Sequence, residues 1–253
     1  MLKATQLDCA RGGCRILEGV DFTLSAGEVM AVLGTNGAGK STLMATLTGE
    51  IPALSGNVEL AGRALANWPD GERARRLAVL PQASTLAFPF QCEEVVAMGR
   101  MPHDTGRERD REIVEQALRA ADVAHLAQRD YLTLSGGERQ RVHLARVLAQ
   151  VWDVEGACLL LDEPTASLDL AHQQLTLAQA RTVAQRGGAV LVILHDLNLA
   201  ARFADRILLL DRGRMLALGT PWEVLQAERI RSVFGVEVQV QPHPLQDCPL
   251  LII

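Results

Sequence analysis

Apolar residues fall along this chain in two rhythms. In residues 1–33 they alternate. Val20, Phe22 and Leu24 share one face of an extended segment, Ser25, Ala26, Gly27 and Glu28 turn the chain, and Val29–Leu33 is a short unbroken apolar run. Alternation predicts half-buried strands, and the unbroken run predicts a strand buried on both faces. A glycine-rich loop at 34–39 separates that strand from a helix predicted over residues 40–48 and stopped by Gly49. Further short strands are predicted at 58–60 and 77–80. From about 91 to 150 the rhythm is helical. Val95, Val96 and Met98 share a face, and Ile113, Val114, Ala117, Leu118 and Ala121 recur at helical spacing. Beyond it, apolar runs at 157–161, 189–194 and 206–210 alternate with helical patterns at 171–186 and 197–203. That order predicts parallel strand–helix–strand units. Asp211, Arg212, Gly213 and Arg214 read as a hairpin turn, and no internal repeat is visible.

Composition narrows the picture. Across 253 residues, 48% are apolar and 22% charged, which excludes wholesale disorder. A net charge of −5 leaves no basic bulk to track phosphates, so nucleic acid is not an expected partner. The five cysteines form no CxxC pair and read as reduced thiols of a cytosolic protein. No apolar run approaches the roughly 20 residues of a spanning helix, and no secretory signal stands at the start, so any membrane role is expected to come through a partner. Of 25 basic residues only Lys3 and Lys40 are lysine. A chain that otherwise uses arginine keeps lysine at position 40.

Three motifs carry chemistry. The first is Gly34, Thr35, Asn36, Gly37, Ala38, Gly39, Lys40, Ser41 and Thr42, a GxxxxGK[ST] sequence set between an apolar strand and a helix. Glycines let backbone N–H groups wrap phosphate oxygens at a helix N-terminus, Lys40 can reach β/γ-phosphates, and the Ser41 hydroxyl can ligate Mg²⁺. The second is an apolar strand ending in Asp162 and Glu163. Asp162 is placed to hold Mg²⁺ through water, and Glu163 to orient or deprotonate a water attacking the γ-phosphate. The third is Leu134, Ser135, Gly136, Gly137 and Glu138. Ser135 and Glu138 have capping-box spacing whatever the function, and the glycines at that helix end suit a second phosphate-binding end.

With these three motifs in this order, joined by Gln82, by Ser167, Leu168 and Asp169, and by His195, the chain resembles the ATP-binding cassette (ABC) ATPases from about residue 2 to 225. The resemblance implies an α/β P-loop core at 1–90 and about 151–253, an antiparallel β subdomain on its N-terminal side, and a helical subdomain inserted at about 91–150. It implies ATP and Mg²⁺ as cofactors. It makes Gln82 the Q-loop glutamine contacting Mg²⁺ or the attacking water, His195 the switch histidine on the γ-phosphate, and Asp169 the D-loop aspartate. Ser135, Gly136, Gly137 and Glu138 would close on the nucleotide of a second copy. Family members stack adenine on an aromatic residue near the first hairpin; here Arg11 occupies that region, and its guanidinium can stack on a purine.

Within the family, the chain is similar to importer ATPases for iron chelates, vitamin B12 and haem, and most similar to bacterial haem-importer ATPases. The cues are Leu86 to Phe90, Asp169-Leu-Ala-His172-Gln173, and the tail around His243. This implies two polytopic permease subunits as partners, a periplasmic haem-binding protein acting indirectly, and a peripheral position on the cytoplasmic face of the inner membrane. A siderophore or B12 importer ATPase, or a soluble cassette of iron–sulfur assembly, stays open at this point. The segment 83–94, with Leu86, Phe88 and Phe90 above Glu93 and Glu94, is expected to receive a permease helix. His243 and Cys248 are expected to lie in an exposed tail.

Overall fold

A computed structural model describes residues 1–82 and 86–253. The chain opens with an antiparallel hairpin of β1 (Leu2–Arg11) and β2 (Cys14–Leu24), turned at Gly12 and Gly13. There follow β3 (Val29–Leu33), α1 (Lys40–Leu47), β4 (Ser55–Leu60), β5 (Arg63–Ala64), α2 (Asp70–Arg76) and β6 (Leu77–Leu80). Three helices come next: α3 (Cys92–Ala97), α4 (Arg107–Ala120) and α5 (Gly136–Val151). The second half alternates β7 (Cys158–Asp162), α6 (Leu170–Gln185), β8 (Ala189–Ile193), α7 (Leu197–Phe203) and β9 (Arg206–Asp211). It ends with β10 (Arg214–Gly219), α8 (Pro221–Val224), α9 (Ala227–Phe234), β11 (Gln239–Pro242) and β12 (Pro249–Ile252).

Two sheets organise these elements. One is antiparallel, in the order β2-β1-β4-β5. The other runs β10-β9-β3-β8-β7-β6, parallel throughout except for the edge strand β10. Strands β3, β7 and β8 are buried at every position, because both faces of the sheet are covered. Alternate residues serve the two faces. Ala31, Leu33, Leu159 and Val192 join one core with α3–α7. Met30, Val32, Leu160 and Leu191 join a second core with α1 and the antiparallel sheet. The parallel sheet is thus clamped between the two, and its C-terminal strand ends are fixed.

The three middle helices pack around Val95, Val96, Ile113, Ala117, Leu144 and Leu148. Gly99 permits their close approach, since a Cβ there would lie 2.2 Å from the Arg146 carbonyl oxygen. Gln150 of α5 donates to the Ala74 carbonyl at 2.6 Å, which ties these helices to the segment entering β6. Among the described residues no helix is long and apolar enough to cross a membrane.

One expectation is overturned. The tail is not an exposed strand of chain: β11 and β12 pair as a hairpin, and Cys248 is buried. Asn198 of α7 holds that hairpin by its side chain, donating to the Leu251 carbonyl at 3.0 Å and accepting from the Leu251 N–H at 2.8 Å. One amide satisfies a strand edge as a neighbouring strand would, and the segment orders against α7.

Candidate active site

The parallel strands deliver the candidate residues to one edge. The 34–39 loop follows β3, Gln82 follows β6, Glu163 follows β7 and His195 follows β8. Neighbouring parallel strands end on the same side, so residues far apart in sequence meet there.

In the 34–42 loop, the tight approach to β9 requires glycine at Gly34, where a Cβ would lie 2.4 Å from the Leu210 carbonyl oxygen. Gly39 caps α1 in the left-handed region at φ 104°. Neither a side-chain cap nor an acidic residue occupies the first turn of α1. Its leading N–H groups therefore face outward without a protein carboxylate, which is the arrangement that receives an anion. Lys40 is buried and folds back, donating from Nζ to the carbonyls of Gly34 at 2.8 Å and Thr35 at 3.0 Å. Burial pulls its ammonium pKa down, while Glu163 and Asp162 act in the opposite sense. Thr42 is buried and Ser41 exposed, so the Ser41 hydroxyl is the one open to a ligand.

Asp162 is 8% exposed, and its Oδ1 has no hydrogen-bond partner. Burial first, then neighbouring Glu163, pushes its carboxyl up to about 6, against the pull of Lys40 and His195. A buried carboxylate oxygen without a donor, charged only at a cost, fits a cation. The Asp162 and Ser41 donor set therefore suits Mg²⁺, a hard ion that takes oxygen ligands.

Glu163 sits at φ 49°, in the left-handed region, directly after its strand. Gln82 Nε2 donates to Oε2 at 2.7 Å, and His195 Nε2 lies 2.6 Å from Oε1. Two candidates from two strand ends thus meet on the carboxylate of a third. The φ sign is invisible in a sequence; the convergence follows from strand order.

The remaining candidates lie elsewhere. Ser135 caps α5 and Glu138 closes the capping box, accepting from the Ser135 N–H at 2.8 Å. These bonds hold the Glu138 carboxyl below its ordinary range. None of the hydrogen bonds of 135–138 among the described residues reaches Lys40 or Glu163. Gly136 is open, and Gly137 faces the 163–169 loop instead, with a Cβ position 3.1 Å from the Ser167 carbonyl oxygen. Asp169 caps α6, accepting from the His172 N–H at 2.9 Å. Arg11 is exposed at the hairpin tip, opposite Cys14. Within 83–94, residues 83–85 lie outside the described residues. Leu86 and Phe90 pack against the core, and Phe88 is 69% exposed. Glu94 does not stand free at the rim: its Oε2 accepts from the Gln91 N–H at 2.8 Å in the capping box of α3.

Comparison with known proteins adds to this geometry. The ABC transporter family pattern matches residues 17–166. The chain is 60% identical over its whole length to the hemin import ATP-binding protein HmuV of Pseudomonas fluorescens Pf-5, covering 99% of that protein. It is 56% identical to the protein of the same name from Gloeobacter violaceus, covering 94% of it. Among solved structures it is similar to an ATP-binding subunit of an ABC transporter, with TM-score 0.79, 26% identity and 94% of each chain covered. It is also similar to an inward-facing ABC transporter assigned to the metal-chelate type, with TM-score 0.82, 28% identity and coverage of 99% of this chain and 96% of that one.

Proposed function

We propose, since the chain belongs to the ABC transporter family, that it is the ATP-hydrolysing subunit that powers haem import across a bacterial inner membrane. The observation carrying the cargo is the full-length 60% identity to a hemin import ATP-binding protein. The ATPase itself is supported by the strand ends that place Lys40, Asp162, Glu163, Gln82 and His195 at one edge.

In this reading the outward N–H groups of 34–42 and the Lys40 ammonium take the β- and γ-phosphates of ATP. Lys40 leaves the Gly34 and Thr35 carbonyls to do so. Ser41, Asp162 and Gln82 hold Mg²⁺, which when bound neutralises phosphate charge as it develops. Glu163 accepts a proton from the water whose oxygen attacks the γ-phosphorus, and the bond to the bridging oxygen breaks to release ADP. His195 donates to the γ-phosphate. Gln82 and His195 both reach the Glu163 carboxylate, so each is within reach of the water that Glu163 would activate. Ser135, Gly136, Gly137 and Glu138 serve the nucleotide of a second copy. Two permease subunits carry the cargo, a periplasmic haem-binding protein delivers it, and the ATPase sits on the cytoplasmic face.

The test is ATP turnover of the complex reconstituted with its permease. A haem-loaded delivery protein is expected to stimulate turnover, and siderophore- or B12-loaded proteins are not. Stimulation by a siderophore or B12 protein instead would transfer the reading to that cargo. Turnover without any permease association would favour the soluble iron–sulfur role.

The permease contact is placed at Phe88 and Glu93. An exposed aromatic followed five residues on by a carboxylate suits an amphipathic helix bearing Arg or Lys. Because Glu94 caps α3, reversing its charge also removes a cap, a loss of about 0.5–2 kcal/mol. The cleaner variants are therefore Glu93→Arg and Phe88→Ala. Both are expected to weaken co-purification with the permease at least several-fold while the isolated subunit binds ATP as before. Undiminished assembly in both would move the contact elsewhere.

A further inference from the structure

We propose that His172 is a positioning residue: a doubly protonated imidazole that pins the loop carrying Asp169 to the helical subdomain. The proposal rests on the ATPase reading above. His172 lies in the first turn of α6. Its Nδ1 is 2.9 Å from both carboxylate oxygens of Asp169, and its Nε2 is 3.3 Å from Oδ2 of Asp122, just beyond the end of α4. An ionised carboxylate only accepts, so both ring nitrogens must donate, and only the imidazolium has two N–H groups. A neutral ring can serve one side alone.

The far side of this bridge is anchored. Asp122 adopts φ 54°, a left-handed geometry that costs a non-glycine residue. Arg141 of α5 holds it there, donating to the Asp122 carbonyl and approaching Oδ2 at 3.3 Å. Arg141 is buried, with 9% of its side chain exposed. α5 is the helix that begins at the 135–138 motif. The chain of contacts thus runs from Asp169 through His172 and Asp122 to Arg141. A separate contact joins the same two pieces: the Ser167 carbonyl already faces Gly137. His172 closes the other side, and the two loops that carry Asp169 and Ser135 are held in one relative position. Among the described residues, the ionisable groups facing the ring are Asp169 from its own helix cap and Asp122 from the end of α4. Arg141 from α5 stands behind Asp122.

The sign follows. The bridge needs both ring protons, one toward each carboxylate, and opens on one side when either is lost. A single exposed ion pair corresponds to a factor of about 1.5–5, and the effect on turnover is expected in that range. The test compares full-length wild type, His172→Gln and His172→Lys in ATP turnover between about pH 6 and 9. Taking ratios to wild type cancels any pH effect common to the proteins compared. His172→Gln is expected to lower kcat about two- to fivefold at the acid end, with the deficit vanishing toward the alkaline end. ATP affinity of the subunit stays unchanged. His172→Lys, cationic throughout, is expected to restore kcat and to keep it at high pH. In ¹⁵N-histidine NMR, the signal lost in His172→Gln should show two protonated nitrogens at the acid end. A ratio of one at every pH, a pH-independent deficit, or a singly protonated ring at the acid end would each overturn the proposal. Failure of the site reading looks different: it appears as normal turnover in Glu163→Gln, whatever His172 does.

Discussion

Glu163→Gln is expected to leave a chain that binds ATP as before and hydrolyses it about 10²–10⁴-fold more slowly, the range for loss of a positioned general base. The substitution keeps volume and the left-handed backbone at 163 while removing the group that takes the proton. Its amide oxygen can still accept from Gln82 or His195, which now donate to the two carboxylate oxygens, but the NH₂ must face the other donor. The cluster is therefore loosened rather than kept, without turnover following. Lys40 and the α1 N-terminus are untouched, so binding persists. Equilibrium binding of ATP together with single-turnover hydrolysis separates the two effects. Hydrolysis within a few-fold of wild type would assign the base to another group and leave the Gln82–Glu163–His195 cluster a structural one.

That cluster marks where the sequence was legible and where it was not. Each member follows a short apolar run, and such runs are legible because strands covered on both faces need apolar residues at every position. The meeting of Gln82 with Glu163, 81 residues apart, depends on β6 lying beside β7 and β7 beside β8, and no local pattern records strand order. β1 shows a subtler loss. Leu2 and Ala4 point inward, but so do Leu7 and Cys9, with Gln6 at φ 45° between them. A bulge there shifts the register, so strict alternation fails within one strand. α2 has no buried residue at all and offers no periodicity to read. The tail hairpin has strands of only four residues; its order comes from Leu251 buried in the core and from the Asn198 side chain, tertiary contacts that override weak local preference. In the sequence His172 was legible only as part of the Asp169–Gln173 stretch that resembles haem-importer ATPases. Its second partner, Asp122, is brought in by the packing of helices from another part of the chain.

The second large effect concerns Asp162, and its sign is opposite to that of the carboxylates held in helix caps. Glu138, Asp169 and Glu223 have their pKa values lowered by hydrogen bonds within capping motifs. Each adds stability that is present at neutral pH and lost as pH falls. Asp162 is raised to about 6 from 3.8. Its folded form therefore holds a proton that the unfolded chain has already released. Between those two values the folded state binds more protons, so stability falls as pH rises, and the loss persists above the window. A shift of this size corresponds to at most about 3 kcal/mol. Asp162→Asn removes the penalty. Without nucleotide, the variant is expected to match wild type near pH 4 and to exceed it at pH 8 by up to that amount, roughly 6–12 °C in melting temperature for a chain of this length. The same substitution removes the charge that suits Mg²⁺. Adding Mg²⁺ and ATP should raise the melting temperature of wild type much more than that of the variant, closing or reversing the gap. Calorimetric or fluorescence melts of both proteins across pH 4–8, with and without Mg²⁺ and ATP, measure all of this. A variant that is no more stable at pH 8 would mean that Asp162 is charged in the folded chain without cost. The unpartnered Oδ1 would then carry no argument for a cation. A variant more stable at pH 8 yet equally stabilised by Mg²⁺ and ATP would keep the buried charge and move the metal ligand to another residue.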